Sequence, residues 1–304
     1  MGGIPVRYRL IMAIGCREAS VRRLEPWRSS SVARVVDQGF FGPGSESWRV
    51  HREVTVLFGG ARALLMQAAH PLVIAGARET GFYRQDPWGR LQRTLMLTYA
   101  LTFGTRPDAK RAAARINAVH RSVRGIDEVT GKPYDAFDPD LLLWVHACLV
   151  DSALLFEERT IGRLDEAGRQ RFHEEQMLAA ELLELPRERI PATAADLRCY
   201  IDRVVASGDL LVTDAASEVA DLFRHPPPGA EWRPILRAVA WWAFGSLPAP
   251  LRDQYGVSWS PLKEAAMRAN LRAVRFLRPA LPPRFRYILP AHQAARRIGV
   301  PVSA

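Results

Sequence analysis

From about Trp48 onward, apolar residues recur at positions three and four apart almost without interruption, the spacing of amphipathic helices. That period predicts helices over 50–69, 71–80, 87–104, 107–125, 139–160, 165–184, 193–206, 214–224, 231–246 and 261–277. No sustained apolar–polar alternation with β-branched enrichment is visible, nor any repeat at a period of roughly 20–50 residues. Local signals sharpen several ends. Asp138-Pro139 reads as an N-cap followed by proline in the first helical position, opening the strongest helix of the chain. Asp86-Pro87 repeats that device, and Pro71 should end or kink the helix before it. Pro226-Pro227-Pro228-Gly229 is the best linker candidate, but helices of similar composition continue on both sides. The expectation is an all-α chain: an irregular N-terminal arm over 1–45, one multi-helical domain over 46–278, and a Pro-rich C-terminal tail over 279–304.

Composition agrees with a folded protein of 304 residues, 48% hydrophobic and 24% charged. Cations exceed carboxylates by ten, and only Lys110, Lys132 and Lys263 among them are lysine. An arginine surplus points to nucleic acid, an anionic membrane face or an anionic ligand, and composition alone does not choose. Arginines occur along the whole chain rather than in one stripe, and no nucleic-acid-binding motif is present, which speaks against nucleic acid. Cys16, Cys148 and Cys199 are too few and too scattered for a disulfide framework or a cysteine-based zinc site, so a reducing cytoplasm is the default expectation. The N-terminal apolar run Leu10 to Ile14 is too short for a secretory or spanning segment, even with Gly15-Cys16 behind it. The basic arm could still meet a membrane surface.

Several familiar chemistries are excluded by spacing. Gly59-Gly60-Ala61-Arg62 is no phosphate loop, no Gly-x-Ser-x-Gly elbow occurs, and His173-Glu174-Glu175-Gln176-Met177 lacks the second histidine of a zinc helix. No Cys-x-x-Cys-His is present for covalent haem attachment. What remains is histidine placement. His146 has Leu142, Leu143, Leu149 and Val150 as its helical neighbours, which turns it toward the core. A buried imidazole needs a protein hydrogen bond, a catalytic partner or a metal. His120 sits on a semi-apolar face with Ile116 and Val123, beside Arg121 and Arg124. If the two helices joined near Gly131-Lys132-Pro133 pack antiparallel, both histidines reach one cavity. That cavity could hold a planar apolar cofactor whose carboxylates the arginines pair. The arginines read equally well as solvated surface. His70, at the break before Pro71, caps freed carbonyls or contributes a polar group to a pocket wall. Asp151 interrupts the apolar run after His146 and wants an arginine or imidazole partner, whereas Trp241-Trp242 reads as core or a membrane-facing edge rather than a cofactor box.

Four segments together carry a resemblance. They are Gly60 to Pro71 (GARALLMQAAHP), Asp86 to Thr94 (DPWGRLQRT), His120 to Gly125 (HRSVRG) and Asp138 to His146 (DPDLLLWVH). Their order and spacing resemble the mpaB-like oxygenase family, which shares its catalytic domain with the latex-clearing rubber oxygenases, over roughly 45–260. The resemblance implies a globin-like helical domain holding a non-covalent haem b, with dioxygen used to oxidise or cleave double bonds of isoprenoid chains. It matches His146 to the family's axial iron ligand. His120, Arg121 and His70 become the catalytic candidates, and Arg124, Arg90, Arg93 and Thr94 the further cofactor contacts. The rubber enzymes' distal lysine has no counterpart, since no lysine lies between Lys110 and Lys132. No carboxylate follows Asp86 on the 87–104 helix either. A small apolar or isoprenoid substrate is therefore expected rather than polyisoprene. The alternatives are a helical protein of this fold that has lost its cofactor, or a basic module for membranes or nucleic acid. Oligomeric state is not readable.

Overall fold

A computed structural model describes residues 37–79, 87–225 and 233–303. Among them the chain is helical, with one two-stranded hairpin. The helices are α1 (Glu46–His51), α2 (Val54–Ala68), α3 (Pro71–Glu79), α4 (Pro87–Phe103) and α5 (Arg106–His120). Strands β1 (Arg124–Ile126) and β2 (Pro133–Asp135) precede α6 (Pro139–Thr160), α7 (Glu166–Leu182), α8 (Ala194–Ser207) and α9 (Asp214–Arg224). The remainder is α10 (Arg233–Gly245), α11 (Ala249–Gln254), α12 (Pro261–Leu277), α13 (Pro283–Arg286) and α14 (Leu289–Ile298). The all-α expectation holds. The Pro226 linker candidate and most of the N-terminal arm lie outside the described residues.

The frame is set by α6 lying along α2. Asp138 caps α6 by accepting from the Asp140 amide at 2.8 Å, and Pro139 starts it where no amide donor is needed. Trp144, Ala147, Cys148, Val150 and Phe156 are fully buried along it. Gly59 lets the two helices approach, because a Cβ there would sit 2.9 Å from the Ser152 carbonyl and 3.1 Å from the Phe156 ring. α6 is long and apolar enough to cross a membrane, yet 61% of that apolar window is buried inside the domain, as in a core helix. One charged network crosses this core. Arg62 on α2 pairs with Asp151 on α6 at 2.7 Å and donates to the Ser152 hydroxyl at 2.7 Å and the Ser246 carbonyl at 3.0 Å. Arg198 reaches the same carboxylate at 3.0 Å from α8. Asp151 thus finds the arginine partner its setting demanded.

Three boundaries depart from the helical period, each for a reason that is distant in sequence. The expected 50–69 helix is broken at Arg52-Glu53, where Glu53 turns extended and bridges Tyr287, while Arg52 accepts from the Ile288 amide at 2.9 Å. The buried Glu53 carboxylate holds Arg278 at 2.6 Å and Arg286 at 3.2 Å, which offsets the desolvation of all three. The expected 107–125 helix stops at His120, because Arg124, Gly125 and Ile126 pair antiparallel with Asp135, Tyr134 and Pro133. Gly131 closes that hairpin with φ of +69°, a left-handed conformation that favours glycine. Finally, the expected tail is folded. Ala291, Ala294 and Ala295 of α14 pack on Trp48, Tyr99 and Phe103, closing the domain. Trp242 is buried, with its indole donating to Asn270 at 3.0 Å, as a core residue.

Candidate functional site

The site is built around the first half of α6. Leu142, Leu143 and Val150 are buried as the spacing predicts, but Leu149 is 43% exposed. Val145 and His146 are only partly covered as well, so in the first half of α6 residues 145, 146 and 149 form a strip that neighbouring side chains leave partly open. Burial pushes the His146 pKa down to about 3, with the nearby His173 imidazole adding to it, so His146 is neutral across the physiological range. Its Nε2 atom is buried with no hydrogen-bond partner. A neutral imidazole with a spare nitrogen beside unpacked apolar surface can ligate a metal or hydrogen-bond a ligand.

Two other histidines lie near segments that border the first half of α6. The α2–α3 break bends the chain by 102°. One turn before it, the Gln67 amide donates to the Val145 carbonyl at 3.1 Å, which ties the break to α6 beside His146. His70 follows, with Nδ1 buried and unpartnered. Burial lowers its pKa against the opposing pull of Asp209 and Asp138. α3 leans on the hairpin, where Gly76 faces Val123 and Tyr134. His120 ends α5 on the hairpin's other side, edge-on to Phe137 with ring centroids 5.9 Å apart. Its Nδ1 is also buried and unpartnered, and burial lowers its pKa despite Glu184. α5 packs chiefly along α4 rather than antiparallel to α6, so the expected helix pairing is corrected. His120 instead borders the start of α6 through Phe137.

The arginines are placed differently from the cofactor-facing expectation. Arg121 is exposed, ion-paired with Glu184 and stacked over Phe137 at 5.4 Å. Arg124 is exposed and donates to the Arg121 carbonyl at 2.9 Å. The side chains of Arg90, Arg93 and Thr94 on α4 lie outside the described residues, as does Asp86. Among the described residues no three His, Cys, Asp or Glu side chains gather as a metal site. A porphyrin, which brings four nitrogens of its own, asks the chain for one axial nitrogen only. Two open concavities among the described residues, of about 670 and 680 Å³, are lined around Trp241 and Tyr99 and include none of the histidines.

Two further histidines escaped the helical reading. His173 on α7 donates from Nε2 to the Pro191 carbonyl at 2.7 Å, which leaves Nδ1 as a lone-pair nitrogen without a partner. His51 packs against Phe172 at 5.5 Å and bonds Gln176, and burial holds its pKa near 4 against an ordinary 6.5. The unfolded chain therefore takes up this proton first. The His51 contribution is complete above pH 6.5 and is lost as pH falls toward 4, a loss of about 3 kcal/mol in all. Urea unfolding between pH 6.5 and 4.5 is expected to be shallower in pH for His51→Leu by about 1.4 kcal/mol per unit, one proton's worth. An unchanged slope would remove His51 from the acid response.

Comparison with known proteins gives a concordant result. The family model for the ER-bound oxygenase mpaB/B'/rubber oxygenase catalytic domain matches residues 48–276. Uncharacterized protein Mb2261 of Mycobacterium bovis and Uncharacterized protein Rv2237 of Mycobacterium tuberculosis are each 30% identical over 200 residues. The matched region is 64% of this chain and 70% of each relative. No solved structure matches the chain significantly.

Proposed function

The chain belongs to the mpaB and rubber oxygenase catalytic-domain family, and we propose that it is a haem b-dependent oxygenase of a small apolar, isoprenoid-like substrate. The observation that carries the proposal is the partly open strip of α6, where the neutral His146 offers a buried, unpartnered Nε2. His146 would hold the haem iron through that nitrogen. Bound there, the haem would supply the dioxygen chemistry that the side chains lack.

The chain's own contribution is an apolar wall with few polar groups. Val145 and Leu149 flank His146 and favour an apolar molecule over water. His120 and His70, both neutral through burial, can each hold or pass a proton at a ring nitrogen that nothing else occupies. Arg121 and Arg124 form the solvent edge of this corner and could pair cofactor carboxylates there. Arg121 would have to give up Glu184 to do so. His120 is the second candidate for the axial role, since its own ring nitrogen is orphaned. Titrating the purified chain with haemin tests the reading. A saturable Soret band lost in His146→Ala supports it, loss in His120→Ala alone transfers the axial role, and a chain that takes up no haemin rejects it.

A further inference from the structure

The charge excess is not spread over the domain. Arginines are, but carboxylates are not. Residues 265–304 carry eight arginines and no Asp or Glu, and residues 1–36 carry seven arginines against two glutamates. The intervening residues hold three more carboxylates than cations. The basic C-terminal region also exposes a run of large apolar side chains that lie close together in sequence. Phe276 is 84% exposed, Leu277 59%, Phe285 51% and Leu281 47%, all at the turn from α12 to α14.

That turn is clamped from below. Arg278 at its start and Arg286 at its end both bind the buried Glu53. Tyr287 bridges Glu53 behind them, with Arg52 over its ring at 5.1 Å. Pro279, Pro282 and Pro283 stiffen the segment between the clamps, so the apolar tips are held out rather than folded back. Arg272 and Arg284 stand exposed beside them, and Arg284 lies over the Phe285 ring at 4.8 Å. Apolar tips beside the exposed cations Arg272 and Arg284 match the acyl and phosphate levels of a membrane surface. Charge complementarity also rejects the nearer covers. A second copy would bring the same basic face, and residues 1–36 carry the same sign of charge.

We propose that the α12–α14 turn docks the domain on an anionic lipid surface, with Phe276, Leu277, Leu281 and Phe285 entering the interface and the arginines meeting the headgroups. The site is separate from the histidine corner and does not rest on the oxygenase reading. The full chain should co-sediment with phosphatidylcholine vesicles containing phosphatidylserine, and not with phosphatidylcholine alone. Phe276→Ser/Phe285→Ser should lower partitioning by about tenfold or more. Arg272→Glu/Arg284→Glu should lower it while keeping the apolar tips. Both variants alter only exposed side chains, and an unchanged melting temperature verifies their folding. Equal binding to both vesicles, or none, would overturn the proposal. So would full retention by the phenylalanine variant, which would assign binding to another basic segment. Heparin or nucleic-acid binding as strong as the lipid binding and indifferent to the phenylalanines would make the face a polyanion site. A concentration-dependent dimer abolished by the phenylalanine variant would make it a self-association face.

Discussion

Asp151→Ala is expected to cost the fold about 3–5 kcal/mol, because it strands a charged guanidinium in the core. Arg62 is 3% exposed and keeps only the Ser152 hydroxyl and the Ser246 carbonyl once the carboxylate is gone. Arg198 does not suffer in the same way. Its side chain is 55% exposed and turns to Asp202 or solvent, so Arg198→Ala should cost about 1 kcal/mol or less. In thermal melts the aspartate variant is expected about 10 °C below the parent chain. The joint replacement Arg62→Leu/Asp151→Leu should recover much of that loss, since removing both charges removes the desolvation penalty with the attraction. If Asp151→Ala melts within about 2 °C of the parent, Arg62 has found water and the network is not a dry core element.

The second large effect is functional. His146→Ala should leave a folded chain, because the lost ring atoms include a buried nitrogen that has no partner to forfeit. Haemin uptake should nevertheless fall below detection, since an axial bond, unlike a wall contact, has no substitute. Two readouts follow without any turnover assay. The Soret band should be absent, and quenching of indole emission by bound haemin should disappear, with Trp144 on the same helix as a local reporter. His120→Ala is expected to keep the band and shift it, because its ring borders the cofactor space without ligating in this account.

The helical frame was legible because it is locally encoded. α6 spans the residues predicted from Asp138-Pro139 and the apolar run behind them, since cap, proline and burial all act within a few positions. The break at Glu53 was not legible, because its cause is a pair of arginines more than 200 positions away. The α5 end was missed for a related reason: Gly125 and Tyr134 look like helix and loop until they are paired. The tail, rich in proline, reads as irregular until Trp48 and Phe103 supply the surface on which α14 packs. In the site, the depth of His146 followed from its neighbours. The exposure of Leu149 did not, because helical spacing gives direction but not what lies opposite. Arg121 shows the opposite failure, for a cation beside a histidine invites a cofactor role and Glu184 claims it instead.

The central claim is that His146 holds a haem in this corner. A haemin titration of the parent chain, His146→Ala and His120→Ala, followed by Soret absorbance and indole quenching, addresses it most directly. Saturable binding near one haem per chain is expected in the parent and in His120→Ala, and none in His146→Ala. No Soret band in the parent, or uptake unchanged in His146→Ala, would contradict it.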